Sequence, residues 1–261
     1  MRVSCSTSCL GGRPLAEALR EIHGAGYVAV DVSCAQIEEA FGPGEDASRG
    51  LTELRSRYAL AISSVTGAPL AAESAKDMAA GVQCVCRHLR LARRVGLVSI
   101  SLAAGDRKRQ GLDVLIAGLR EAASYAGRLG MQIHLANRRG TRIEQLEDLR
   151  YVLATLPRET VQLAVDCGEF HCAAVNPCHA FREFPGRAGL IRLSDHIGRR
   201  LVQAGCGGTN IPAVVEMAAR SGYDGWLVVT GEVPPDEDPA AFLRGSREFL
   251  EQLVAGLSSA R

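Results

Sequence analysis

The chain has 261 residues, enough for one large domain, and its 30 basic and 29 acidic residues leave a formal charge of +1. That balance argues against a polyanion-binding surface or a charged tail, so nucleic acid is not an expected partner. No apolar run approaches the ~20 residues of a membrane span, and the start Met1-Arg2-Val3-Ser4-Cys5 is too polar for a signal peptide, so no membrane contact and a cytoplasmic location are expected.

In chain order, short β-like runs alternate with longer amphipathic stretches. Strands are predicted near 2–6, 27–32, 59–65, 97–102, 131–136, 161–166, 190–194 and 226–230. Helices are predicted near 14–24, 45–57, 73–94, 112–128, 143–155, 176–183, 211–221 and 239–256, the last opened by Asp238-Pro239. Helix-like segments end at Gly26, Gly96, Gly130 and Gly222, each followed at once by an apolar run, as a left-handed cap after the last helical turn requires. Eight strand and helix units predict an α/β fold, a (β/α)8 TIM barrel forming a single domain over 1–261. An open doubly wound sheet is the alternative, but the segment after strand one, Ser6-Thr7-Ser8-Cys9-Leu10-Gly11-Gly12, is no Gly-rich phosphate-binding turn. The nine cysteines are odd in number and lack paired-ligand spacing, so they read as reduced packing residues.

Barrel chemistry sits at the C-terminal ends of strands. Four such ends carry informative residues: Gly130-Met131-Gln132-Ile133-His134-Leu135-Ala136-Asn137, Val165-Asp166-Cys167-Gly168-Glu169, Arg192-Leu193-Ser194-Asp195 with Gly205-Cys206-Gly207, and Asp224-Gly225-Trp226-Leu227-Val228-Val229-Thr230. Together with Gly26-Tyr27 entering a strand that ends Val30-Asp31, they resemble the xylose-isomerase-like TIM-barrel family of sugar phosphate isomerases and epimerases over essentially the whole chain. The resemblance implies a divalent ion held at the ends of strands five to eight, where this chain has Ala136, Asp166, Arg192 and Thr230. Only Asp166 is a ligand type, and Arg192 adds a repelling charge, so no cofactor is expected. A displaced metal site from Asp166, Glu169, His171 and Glu232 is the alternative.

Residues at i and i+2 of a strand share a face, which directs His134 to the side of position 136 and Glu232 to that of Thr230. The expected catalytic set is therefore Asp166, Glu232, His134 and Arg192: Glu232 or His134 moves a proton, Asp166 orients a partner, and the Arg192 fork holds an oxyanion. Asn137, Arg138, Glu169, His171, Asp195 and His196 are the expected substrate-binding groups. Against this, Arg192 would simply pair with Asp166, His134 would be a hydrogen-bonded core histidine, and Glu232 an exposed loop carboxylate. Arg107-Lys108-Arg109 reads either as an anion contact or as a solvated helix start. The expected activity is metal-independent acid/base isomerisation or epimerisation of a small polar substrate, possible anionic groups included. A lyase or dehydratase on the same scaffold and a degenerate metabolite- or protein-binding module are the alternatives. The expected partner is a small molecule, with a homodimer left open.

Overall fold

A computed structural model describes residues 1–259. β1 (Arg2–Ser6), β2 (Ala29–Ser33), β3 (Ala61–Thr66), β4 (Ser99–Ala103), β5 (Gln132–Ala136), β6 (Val161–Asp166), β7 (Ala188–Leu193) and β10 (Trp226–Val229) close into a parallel barrel. Closure runs through β1 beside β10, with Arg2 opposite Trp226 and Cys5 opposite Val229. The fold is thus the expected (β/α)8 barrel.

Each strand is followed by helix: α1 (Leu15–Gly24), α2 (Cys34–Phe41) with α3 (Glu45–Arg57), α4 (Ala75–Arg94), α5 (Leu112–Arg128), α6 (Leu146–Thr155), α7 (Cys167–Cys172) with α8 (Cys178–Glu183), α9 (Ile211–Arg220) and α10 (Pro239–Ser259). The four helix-to-strand glycines all take positive φ, as their place in the sequence predicts. Several strands begin later than expected. Ala59, inside the predicted third strand, has φ +50 and still belongs to the turn that ends α3, so β3 starts at Ala61.

Three elements escaped the strand and helix pattern. α2 and α7 start directly at strand ends, and an antiparallel hairpin, β8 (Asp195–Ile197) with β9 (Arg200–Val202), projects after β7. The main core lies between barrel and helices, where Leu19, Ile22, Ile37, Leu51, Leu89, Leu115, Ile133 and Phe170 are fully buried. Inside the barrel a smaller apolar layer of Ala136, Ala164, Leu190 and Val228, with Trp226, forms a floor beneath polar strand ends. All nine cysteines are free thiols. Among the described residues no helix is long and apolar enough to cross a membrane.

Candidate functional site

Inward-facing positions near the C-terminal strand ends carry Asp31 on β2, Ser64 and Thr66 on β3, Ser101 on β4, Asp166 on β6 and Arg192 on β7. Their side chains meet in the lumen. Arg192 Nε lies 3.5 Å from Asp166 Oδ2, and Arg192 Nη1 lies 3.6 Å from Asp31 Oδ2. Nη1 also donates to Thr66 Oγ1 at 2.9 Å and to Ser101 Oγ at 3.4 Å. Thr66 Oγ1 in turn donates to Asp31, and Ser64 Oγ donates to Asp31 Oδ1 at 2.7 Å. One guanidinium is therefore shared by two carboxylates, which leaves the trio with one net negative charge.

The two carboxylates have different surroundings. Asp31 is fully buried, and its oxygens are taken by hydroxyls and by Arg192. Asp166 and Arg192 keep side-chain exposures of 12% and 10%, so both are reachable from the mouth. Burial pushes the Asp166 carboxyl up to about 6 against the opposing pull of Arg192. Asp166 Oδ1 also accepts the N–H of Glu169, capping α7.

Of the expected site residues, Asp166 and Arg192 come together in the lumen, and the others stand in other surroundings. Asn137 donates Nδ2 to the carbonyl of Asp166 at 2.9 Å and accepts the Asp166 N–H at 2.8 Å. Its amide extends the β5–β6 ladder and so fixes the backbone of Asp166. Asp195 is likewise occupied: Oδ1 accepts the N–H groups of His196 and Thr209, and Oδ2 those of Gly205 and Gly207, all at 2.9–3.0 Å. It organises the loop after β7 and presents no free oxygen.

His134 does not reach the mouth. Its Nε2 approaches Gln132 Oε1 at 3.5 Å, and its ring fills the space a side chain on Gly189 would need, so it lies toward the N-terminal ends of β5 and β7. Burial pulls it down to about 4, a neutral core imidazole. Glu232 is an exposed carboxylate in the loop after β10, lying over Gly11. Arg138 is exposed as well. Glu169 and His171 would converge only in an extended segment; α7 is helical there, and residues two apart point to different sides of a helix. Glu169 Oε2 accepts the Arg139 N–H at 3.0 Å, whereas His171 stacks on His196 with centroids 6.5 Å apart. Burial first, then the neighbouring His171, holds His196 below the usual imidazole range. The basic run after β4 is tied into ion pairs, Arg107 with Asp148 and Arg109 with Glu73.

Asp31, Thr66, Ser64 and Ser101 are the members of the network that reading the sequence for functional residues passed over. The signal was present in Asp31, a carboxylate inside the apolar run Ala29-Val30-Asp31-Val32. A buried acid in a strand needs a cation or several donors.

A divalent ion does not fit these residues. Where the resemblance places its ligands, Ala136 belongs to the apolar floor, Thr230 continues the backbone ladder through its N–H to Leu193, and Arg192 fills the lumen with a cation. The displaced set does not assemble either. Among the described residues no three His, Cys, Asp or Glu side chains converge into a metal-binding group.

Fold and mouth define a TIM barrel whose polar centre is an arginine between two aspartates. The sequence model of the xylose isomerase-like TIM barrel matches residues 17–253, and the chain belongs to that family. It is 22% identical over 167 residues to the inosose dehydratase of Mesomycoplasma hyopneumoniae (strain 7448), spanning 56% of each protein, so the match covers about half the length of that curated relative. Among solved structures, a D-tagatose 3-epimerase-like protein superposes with a TM-score of 0.82 at 18% identity, covering 100% of this chain and 99% of that one. An IolI protein with a bound zinc atom superposes with a TM-score of 0.81 at 13% identity, covering 98% and 99%. At such identities the likeness to these structures shows the fold alone.

Proposed function

We propose that this chain is a metal-independent enzyme that removes a proton from the carbon beside a carbonyl in a small sugar or cyclitol. The observation that carries the reading is Arg192, held in the lumen between Asp31 and Asp166 and still open to the mouth. Epimerisation of a ketose and dehydration of an inosose both begin with this proton loss, which needs a base and a group to hold the developing oxyanion. Asp166, with its carboxyl at about 6, is the assigned base near neutral pH. Arg192 holds the enolate oxygen with N–H groups that Asp31, Thr66 and Ser101 do not use. Asp31 is fully buried and, through its contact with Nη1, helps orient the guanidinium.

Two outcomes follow from the same carbanion. Epimerisation returns the proton to the opposite face and calls for a second acid, for which Glu232 on the rim is our assignment. Dehydration is the second reading, favoured by Asp166 being the less deeply buried of the two carboxyls in the lumen network: the same group then passes its proton to the departing hydroxyl. The reading is tested by solvent-deuterium wash-in on a panel of ketoses, inososes and keto acids. Wild type should incorporate deuterium at the carbon beside the carbonyl of at least one. Asp166→Asn and Arg192→Lys should each slow that exchange by about a hundredfold or more, the scale of losing one acid/base or oxyanion contact. A wild type that binds such compounds and exchanges no carbon-bound proton is a binding module.

A further inference from the structure

We infer that Cys84, on the outer helix α4, is a nucleophilic thiol and a site of reversible thiolation by small disulfides. Cys84, Arg87 and His88 stand at i, i+3 and i+4 of α4 and so share one face of that helix. Glu38 of α2 meets them from the other side. Arg87 Nη2 donates to Cys84 Sγ at 3.4 Å, while Arg87 Nε donates to Glu38 Oε1 at 2.9 Å. His88 Nε2 lies 3.7 Å from Cys84 Sγ and 3.3 Å from Glu38 Oε1. The cluster stands outside the barrel lumen and does not depend on the catalytic reading.

The direction of the histidine contact is settled on the far side of the ring. His88 Nδ1 accepts the N–H of Ala68, in the loop after β3, at 3.2 Å, so the proton of the neutral ring sits on Nε2 and points toward Glu38 and Cys84. Burial holds His88 below the usual imidazole range, which makes that neutral ring the form present near pH 7. The sulfur therefore faces two N–H groups, one of them on a cation, and neither group can accept a proton from it. Cys5, Cys9 and Cys167 are arranged the other way: each is buried and donates its S–H to a backbone carbonyl, of Ser6, Val229 and Val165 respectively. A thiol committed as a donor in an apolar core keeps its proton and is inert, whereas a half-buried sulfur among cationic and N–H donors is the setting in which thiols react.

The exchange needs no partner beyond the disulfide itself. Cys84 gives its proton to water, its sulfur bonds to one sulfur of the disulfide, the disulfide bond breaks, and the other half leaves as a thiolate that takes up a proton. A second small thiol reverses the step by the same route. A cleft of about 120 Å³ with Glu38 and Arg87 in its wall opens beside the cluster, so the surroundings are not closed off by packing.

The probe is 2-hydroxyethyl disulfide, which is uncharged, added to the reduced full-length protein under native conditions. Modification of each cysteine is timed by peptide-mapped mass spectrometry. Cys206 is the exposed reference in the same chain, and Cys86, which burial pushes up, is the neighbouring one on α4. Cys84 should be modified about tenfold faster than Cys206 or more, although it is the less exposed of the two, and faster still than Cys86. Dithiothreitol should remove the adduct. Arg87→Met should bring the Cys84 rate down to that of Cys206 and leave the Cys206 rate unchanged. A Cys84 that reacts no faster than Cys206 would overturn the inference. A fast Cys84 whose rate ignores Arg87→Met would overturn it too, by showing that access and not the donor set governs the reaction. Should Arg87→Met fail to melt cooperatively, the wild-type ratio of Cys84 to Cys206 decides alone.

Discussion

At the scale of single residues, Arg192 is the side chain on which most depends. Two buried carboxylates share its charge, and removing one partner of a buried pair leaves an uncompensated ion. Arg192→Met should therefore destabilise the fold by about 3–5 kcal/mol in urea unfolding. Adding Asp31→Asn should recover a good part of that loss, because it removes the more deeply buried of the two stranded charges. Asp166 and His134 make a second pair of opposites. The carboxyl sits at about 6 in the fold against 3.8 ordinarily, so its stabilising contribution is full at low pH and is lost as pH rises through 6. The imidazole sits at about 4 against 6.5, so its contribution is full at high pH and is lost as pH falls through 4. Each is worth roughly 3 kcal/mol, and in wild type they largely cancel between pH 4 and 6. Asp166→Asn should uncover the histidine: between pH 6.5 and 4 the variant should lose roughly 3 kcal/mol more than wild type, read from unfolding curves across that range. Asp166 and Arg192 were legible in the sequence because they stand at strand ends. Asp31 showed only as an acid in an apolar run; its role was not legible, since it depends on hydroxyls from β3 and a cation from β7, partners that only closure of the barrel brings within reach.

At the scale of elements, the loop from β7 to α9 turns on one carboxylate. Asp195 takes four backbone N–H groups, from His196, Gly205, Gly207 and Thr209. An asparagine there would point N–H₂ at two of those donors. Asp195→Asn should cost about 2 kcal/mol or more, the price of leaving buried donors unmade. It should also raise hydrogen exchange across 195–209 while sparing β5 and β6. Long helices and the glycine joints were readable because their signals are local: a 3.6-residue period and a left-handed cap. The hairpin and α7 were not. α7 is six residues long, too short to show a period, and its start is fixed by Asp166 capping Glu169. That short helix is what separates Glu169 from His171 and undoes the convergence an extended segment would have given.

At the scale of the whole molecule, the barrel was legible because eight apolar runs recur with similar joints, whereas whether a metal ion is used depends on a handful of positions. Ala136, Arg192 and Thr230 lead us to expect that protein purified without chelator carries well under one equivalent of divalent metal and melts at the same temperature with and without EDTA. Stoichiometric zinc, manganese or cobalt in elemental analysis, or a melting point that falls with chelator, would refute this. The contacts of Arg192 also have a mechanical side. From β7 its guanidinium reaches groups on β2, β3, β4 and β6, so five of the eight staves are joined through one hub inside the lumen. Prising any two of them apart at the mouth strains a charge contact as well as the backbone ladder. The hub ties these side chains to the barrel frame, whereas the β8–β9 hairpin and the loop bearing Glu232 stand outside the barrel's strand ladder. On the proposed reading the hub would then align the reacting groups, and substitutions in the surrounding loops should change how fast the site fills more than what happens inside it.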